Sequence, residues 1–239
     1  MKRIIGIAVI MAVFWAGNWY WGLSANLDKT ADWFGAQGDV FEHSEQHGFP
    51  NRYDVTLSDV TIADIGFDAE FVQILRVVYK SDHRIIILPN RVQIFGQSLT
   101  TDGMRASVVS SGAPTPRITI EAAKPEFPNG ITAERAQISI VPTQSPEKIT
   151  VFIELNDAKF ATGTRHETLR ATLHISSDTP FDWSTLAQTI RSLNHPITGT
   201  GTGSIDGGSI ENFALSGNLR HPAVTDAGLS PSLQALFWK

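Results

Sequence analysis

The stretch Arg52-Tyr53-Asp54-Val55-Thr56-Leu57-Ser58 decides the fold. Tyr53, Val55 and Leu57 alternate with Asp54, Thr56 and Ser58, so an extended chain here has one apolar and one polar face. Comparable segments follow at 71–79, 84–88, 92–99, 105–110, 116–122, 131–141, 149–155, 167–176 and 204–219, the last reading as two strands. They are rich in Val, Ile, Thr and Phe and are bounded by Gly, Pro, Asn and Asp. The connections are too short for crossover helices, which implies antiparallel pairing. The expectation is a mainly β domain over residues 51–239: antiparallel, curved sheet with one or two packed helices.

Upstream of this strand the period changes. Leu27, Phe34 and Phe41 recur at seven-residue spacing with Trp33 and Val40 beside them, which predicts an amphipathic linker helix over 26–50, stopped by Gly48-Phe49-Pro50. A second helix is predicted at 182–193, capped by Asp182 and carrying Leu186, Ile190 and Leu193, and a short helical turn at 230–238. The Gly/Thr-rich run Thr198 to Gly203 reads as a loop or sheet-edge connection and as the one subdomain boundary.

The first 25 residues speak to location. Lys2 and Arg3 precede Ile4 to Leu23, a segment without formal charge. At about 1.5 Å per residue it reaches about 30 Å, the thickness of a hydrocarbon core. Trp15, Trp19, Tyr20 and Trp21 lie in its outer half, where aromatic rings favour the headgroup level. The basic excess on the amino-terminal side puts the N-terminus in the cytoplasm and the remainder across the inner membrane. The alternative is a cleaved signal peptide with an apolar core at Ile4 to Ala16 and a cleavage site near Ser24. The length of the run and its aromatic cluster favour the retained, single-pass anchor, with Trp15, Trp19 and Trp21 at the interface.

Composition excludes several chemistries. The 239 residues contain no cysteine, which removes disulfides, thiolate metal sites and cysteine nucleophiles. A net charge of −5 argues against nucleic acid as a partner. His43-Ser44-Glu45-Gln46-His47 puts two histidines four apart, a metal-ligand spacing on a helix. The glutamate does not directly follow the first histidine, so Glu42 or a distant carboxylate would have to complete such a site. The simpler reading is two solvated histidines at a helix end, with no metal. Asp82-His83 sits in a turn with no serine elbow, and Gly199, Gly201 and Gly203 miss the dinucleotide fingerprint. No catalytic residue, metal or cofactor is expected.

Strands such as 71–79 and 85–88 are apolar on both faces. Either they are core strands covered on both sides, or they belong to a curved sheet whose inner face holds an acyl chain. On the second reading Val72, Ile74, Val78, Ile85 and Ile87 line the concave face.

The order of features resembles a known family. Gly48-Phe49-Pro50-Asn51-Arg52-Tyr53-Asp54, Gln73-Ile74-Leu75, Tyr79-Lys80-Ser81-Asp82-His83-Arg84-Ile85-Ile86, Leu88-Pro89-Asn90 and Met104-Arg105-Ala106-Ser107-Val108 are similar in order and spacing to domain-of-unknown-function family number 2125, uncharacterised envelope proteins of Gram-negative bacteria. Gly201-Thr202-Gly203-Ser204-Ile205-Asp206-Gly207-Gly208, followed by Phe213-Ala214-Leu215-Ser216-Gly217, resembles the strand-turn-strand pattern of that family and of the wider AsmA-like group. The resemblance implies a periplasmic β-rich domain held to the inner membrane, with a lipid-handling groove or an assembly surface, and brings no catalytic residue. The expected role is therefore non-enzymatic envelope maintenance by binding phospholipid or another envelope lipid. The alternative is a scaffold that recruits envelope proteins through a sheet edge.

Overall fold

The computed structural model describes residues 2–34, 41–48, 51–77, 79–80, 82–110, 115–208, 211–220 and 222–224. A helix α1 (Lys2–Phe34) leads into the strands β1 (His43–His47), β2 (Arg52–Ile62), β3 (Phe67–Val77), β4 (His83–Leu88), β5 (Arg91–Ile94), β6 (Gln97–Thr100) and β7 (Gly103–Val109). Then come β8 (Arg117–Ala123), β9 (Arg135–Pro142), β10 (Lys148–Lys159), β11 (Arg165–Ser177), the helix α2 (Leu186–Asn194), β12 (Ile197–Ile205), β13 (Glu211–Gly217) and β14 (Pro222–Val224). All the strands form one antiparallel, open, curved sheet in which almost every strand pairs with its sequence neighbours. The exception is the β5–β6 hairpin, which pairs with the start of β3 and lets β4 meet β7 directly.

The alternation in Tyr53 to Ser58 sets which face is inside. Val55 pairs with Ile74 and Leu57 with Val72, and all four are buried. Across the sheet the same face carries Ile86, Ala106, Ile120, Ile138, Ile153 and Ala171, each directly opposite the next. The opposite face is polar, as in the row Arg105, Glu121 and Gln137. There Arg105 Nη2 and Arg135 Nη2 each donate to Glu121 at 2.6 Å.

The two ends of this sheet are brought together. Arg220, in the turn between β13 and β14, donates from Nη1 to the Asp64 carbonyl at 3.0 Å in the turn between β2 and β3. Its guanidinium lies 5.7 Å from the centre of the Phe95 ring. The inner faces of β2 and β13 thus feed one buried cluster, from Val55 and Leu57 through Leu169 and Leu173 to Phe213 and Leu215.

Two helices close parts of the concave side. The Trp19 indole donates to the Arg52 carbonyl at 2.7 Å, and Gly22 packs so closely on Tyr53 that a Cβ there would fall 2.1 Å from the phenol oxygen. The second helix starts at Thr185, whose hydroxyl accepts from the Gln188 amide. Buried Leu186 and Ser192 fix it, Ser192 bonding both the amide and the carbonyl of Asp182. Asp182 thus stands ahead of the helix rather than capping it, its Oδ1 accepting from the Ser184 amide at 2.9 Å.

Two further expectations are corrected. Of the helix expected over 26–50, residues 26–34 are the end of α1, residues 35–40 lie outside the described residues, and His43–His47 is a strand paired with β2. The sheet therefore begins before residue 51. Backbone pairing along an available sheet edge overrides the local apolar stripe, as tertiary context often does. The run Thr198 to Gly203 is an interior strand, flanked by β11 and β13, rather than a boundary. Its glycines are there for space: a Cβ on Gly201 would fall 2.3 Å from the Phe213 ring, and one on Gly199 2.4 Å from the His174 carbonyl oxygen. The helical turn expected at 230–238 lies outside the described residues.

Asp54, on β2 beside β1, gives a pH test of this edge. Its side chain is buried against Arg52 Nη2 at 3.0 Å, and Oδ1 has no hydrogen-bond partner. Burial, opposed by the Arg52 and His47 charges, holds its carboxyl above the ordinary aspartate range. The folded chain then keeps a proton that the unfolded chain releases, so this group's contribution to stability falls as pH rises through that window. Asp54→Asn is expected to remove the loss: the Tm difference, variant minus wild type, rises from pH 4 to pH 7. A difference that stays flat, or falls, would refute the assignment.

Candidate functional site

The candidate site is the concave, apolar face of the middle strands β4 and β7–β10. Alternation supplies its side chains, because every second residue of an antiparallel strand faces the same way and directly opposed residues share a face. Ile86, Ile120, Ile138, Ile140 and Ile153 lean on the buried cluster but are themselves only partly buried. A second row runs parallel to the first, from Arg84 through Val108, Ile118 and Ile140 to Val151. Val108 and Ile118 in that row are also only partly buried. The middle of the concave face thus presents branched aliphatic side chains, while Phe181, Leu186 and Leu215 are fully packed elsewhere.

Of the five residues expected to line this face, the register divides the four described ones into two sets. Val72 and Ile74 face inward and are buried in the core, paired with Leu57 and Val55. Ile74 meets Ile86, whereas Ile85 and Ile87 meet Leu75 and Gln73 on the outer, polar face. Ile85 is accordingly exposed. A one-position offset in β4 is enough to produce this, since it exchanges every side chain between faces. Val78 lies outside the described residues. The inward residues of β4 are Arg84, Ile86 and Leu88. The expected interfacial aromatics on α1 divide as well: Trp15 and Trp21 are exposed, with Phe14 and Tyr20, while Trp19 is half-buried against Arg52.

The histidine pair is placed apart. In an extended strand, residues four apart are separated by about 13 Å, too far to share an ion, and His47 Nε2 instead meets Glu45 at 3.2 Å. Among the described residues no group of three or more His, Asp or Glu side chains is arranged to hold a metal ion. His83 Nε2 meets Ser107 Oγ at 2.9 Å on the outer face. Among the described residues no carboxylate hydrogen-bonds that ring, so the pair lacks the orienting group a serine nucleophile needs. An outer depression of about 350 Å³ lies over His174, Thr200, Thr202 and Ala214. It is open, and His174 and Phe213 are the large side chains at its lining.

Sequence reasoning missed one inward pair. Arg76 on β3 and Arg84 on β4 share the concave face, because Leu75 opposite Ile85 brings the next pair to these two positions. Burial, and then the charge of Arg76, lowers the pKa of Arg84 from the ordinary arginine value. The signal was present: Arg84 is spaced by two from Ile86 and by four from Leu88, the inward residues of its strand.

Comparison with known proteins gives one family. A family model described as "Uncharacterized protein conserved in bacteria (DUF2125)" matches residues 20–230. No curated protein and no solved structure matches the chain.

Proposed function

We propose, for a chain that belongs to the DUF2125 family, a membrane-anchored, non-enzymatic role in the bacterial envelope, in which the concave apolar face of the sheet holds lipid. Residues 1–25 are the anchor, the N-terminus is cytoplasmic, and the sheet is periplasmic. Two basic residues ahead of the apolar run, and exposed Phe14, Trp15, Tyr20 and Trp21 on α1, support this placement. Among the described residues no helix is long and apolar enough to cross a membrane. The side chains of Ile4 to Ile10, the most apolar part of the expected span, are not among those described.

The single observation that carries the lipid reading is the set of partly buried isoleucines Ile86, Ile120, Ile138 and Ile153 along the concave face, in a row completed by the buried Ala106. Burying apolar surface contributes about 25 cal/mol per Å², so leaving such a row short of full burial favours an apolar occupant. The test is lipid extracted from the full chain purified in mild detergent, quantified by mass spectrometry. Wild type is expected to carry phospholipid, and Ile120→Asn with Ile138→Asn to lose most of it with an unchanged circular dichroism spectrum. Wild type free of lipid, or a folded variant that keeps it, would defeat the reading.

The open sheet also favours a second role. Among the described residues strand β1 pairs only with β2, so its other edge offers a row of backbone groups to a partner strand. Its polar sequence and short length are, however, the features by which edges avoid such pairing.

A further inference from the structure

The two arginines on the concave face stand out from those outside. On the outer face Arg105 and Arg135 share Glu121, and Arg170 bonds Glu154 at 2.9 Å. Arg76 and Arg84 lie side by side on β3 and β4, and among the described residues neither meets a carboxylate. Arg76 Nη1 reaches the Asn26 side-chain oxygen at 3.4 Å and the guanidinium lies 5.9 Å from the centre of the Tyr53 ring, but its Nε is buried with no partner. Arg84 makes no hydrogen bond or ion pair among the described residues.

Like charges opposed on adjacent strands destabilise a sheet, and a part-buried guanidinium without an acceptor adds a desolvation cost. Both costs disappear when an anion sits between the two groups, because planar guanidinium forks match phosphate oxygens. The surroundings specify what kind of anion. Arg84 begins the cross-strand row Val108, Ile118, Ile140 and Val151, all apolar. From β4 to β10 along that row is four strand spacings, about 19 Å at about 4.8 Å each, the span of an extended long acyl chain. The positive pair also lies where α1 meets the sheet, through Asn26, Gly22 and Tyr53.

We propose that Arg76 and Arg84 form the headgroup site for an anionic phospholipid whose acyl chain lies along Val108, Ile118 and Ile140. The proposal rests on the lipid reading above and adds the headgroup class and its residues. Charge complementarity at one end of an otherwise apolar row selects this ligand over a neutral lipid.

The test uses the full chain in detergent and a fluorescent acyl chain on phosphatidylglycerol or phosphatidylcholine. Wild type is expected to bind phosphatidylglycerol about tenfold or more tighter than phosphatidylcholine, the scale of one or two charge-assisted hydrogen bonds. Arg76→Ala with Arg84→Ala is expected to bring phosphatidylglycerol down to the phosphatidylcholine level while phosphatidylcholine binding stays. Arg84→Lys alone is expected to keep part of the preference. Without lipid Arg84→Ala alone is expected to melt no lower than wild type, because it relieves a repulsion and removes no hydrogen bond; a lower Tm would make Arg84 a structural residue and count against the headgroup site. Equal affinity of wild type for the two lipids, or a double variant that keeps the preference, overturns the headgroup site and leaves the lipid reading standing. Failure of wild type to bind either lipid overturns both. Inorganic phosphate alone displacing the probe as well as phosphatidylglycerol does would assign the site to a soluble anion and overturn the lipid headgroup.

Discussion

Gly199→Val is expected to prevent the chain from reaching its native sheet, or to leave it several kcal/mol less stable. A Cβ at this position falls 2.4 Å from the backbone oxygen of His174 on the neighbouring strand. A flexible side chain can move away from such an approach, but a paired backbone can yield only by parting β11 from β12. Overpacking costs typically about 1–3 kcal/mol when side chains can adjust, and here the obstacle is main chain, so the upper end or beyond is expected. Gly201→Val meets the Phe213 ring at 2.3 Å instead, and is expected to do less harm because the ring has somewhere to turn. Gly103→Ala is the control: nothing lies within 4 Å of its Cβ position, and its cost is expected to stay within about 1 kcal/mol. Urea unfolding followed by circular dichroism gives the order directly. Equal stability of the Gly199 and Gly103 variants would mean that β12 does not lie where it has been placed.

Phe181→Ala is expected to cost about 3–5 kcal/mol, the range for deleting a buried aromatic ring. Phe181 is fully buried in the connection between β11 and α2. Its backbone is held at both ends, the amide donating to the Pro146 carbonyl at 2.9 Å and the carbonyl accepting from the Thr115 hydroxyl at 2.7 Å. The Phe181 backbone therefore ties together three segments distant in sequence, so the cavity left by removing the ring has little freedom to collapse. Against a typical domain stability of about 5–15 kcal/mol, such a loss brings the chain close to unfolding at physiological temperature. Phe181→Leu, which keeps much of the volume, is expected to cost less than half as much. Equal losses for Leu and Ala would show that ring volume is not what matters there.

How far the sequence disclosed this structure depends on the range of the interaction involved. Alternation within one strand is a local property, and Tyr53, Val55 and Leu57 announced β2 and its inward face from their spacing alone. The same pattern located β3, β4 and β7–β11 to within a few residues. What fails is whatever a distant partner decides. The glycines of β12 look like loop punctuation until Phe213 and His174 stand beside them. His43 to His47 has no strand signature of its own and becomes extended because β2 offers an edge. In the candidate site, composition showed an apolar surface in this half of the chain, but not which residues share it. The register between β3 and β4 joins Ile74 to Ile86 rather than to Ile85 or Ile87, and no count along either strand reveals that.

The succession of pairings, each strand beside the one made just before it, bears on how the molecule assembles. Pairing in sequence order keeps most strand partners within one hairpin of each other, and among sheet topologies shorter contact separations go with faster folding. A chain delivered amino end first can add one hairpin after another to a growing edge, with α1 already holding β2 through Trp19 and Tyr53. The bond from Arg220 back to Asp64 joins residues 156 positions apart. In such an order the clasp closes late, so until Arg220 arrives the two ends of the ribbon are not yet fastened and its greasy side remains accessible.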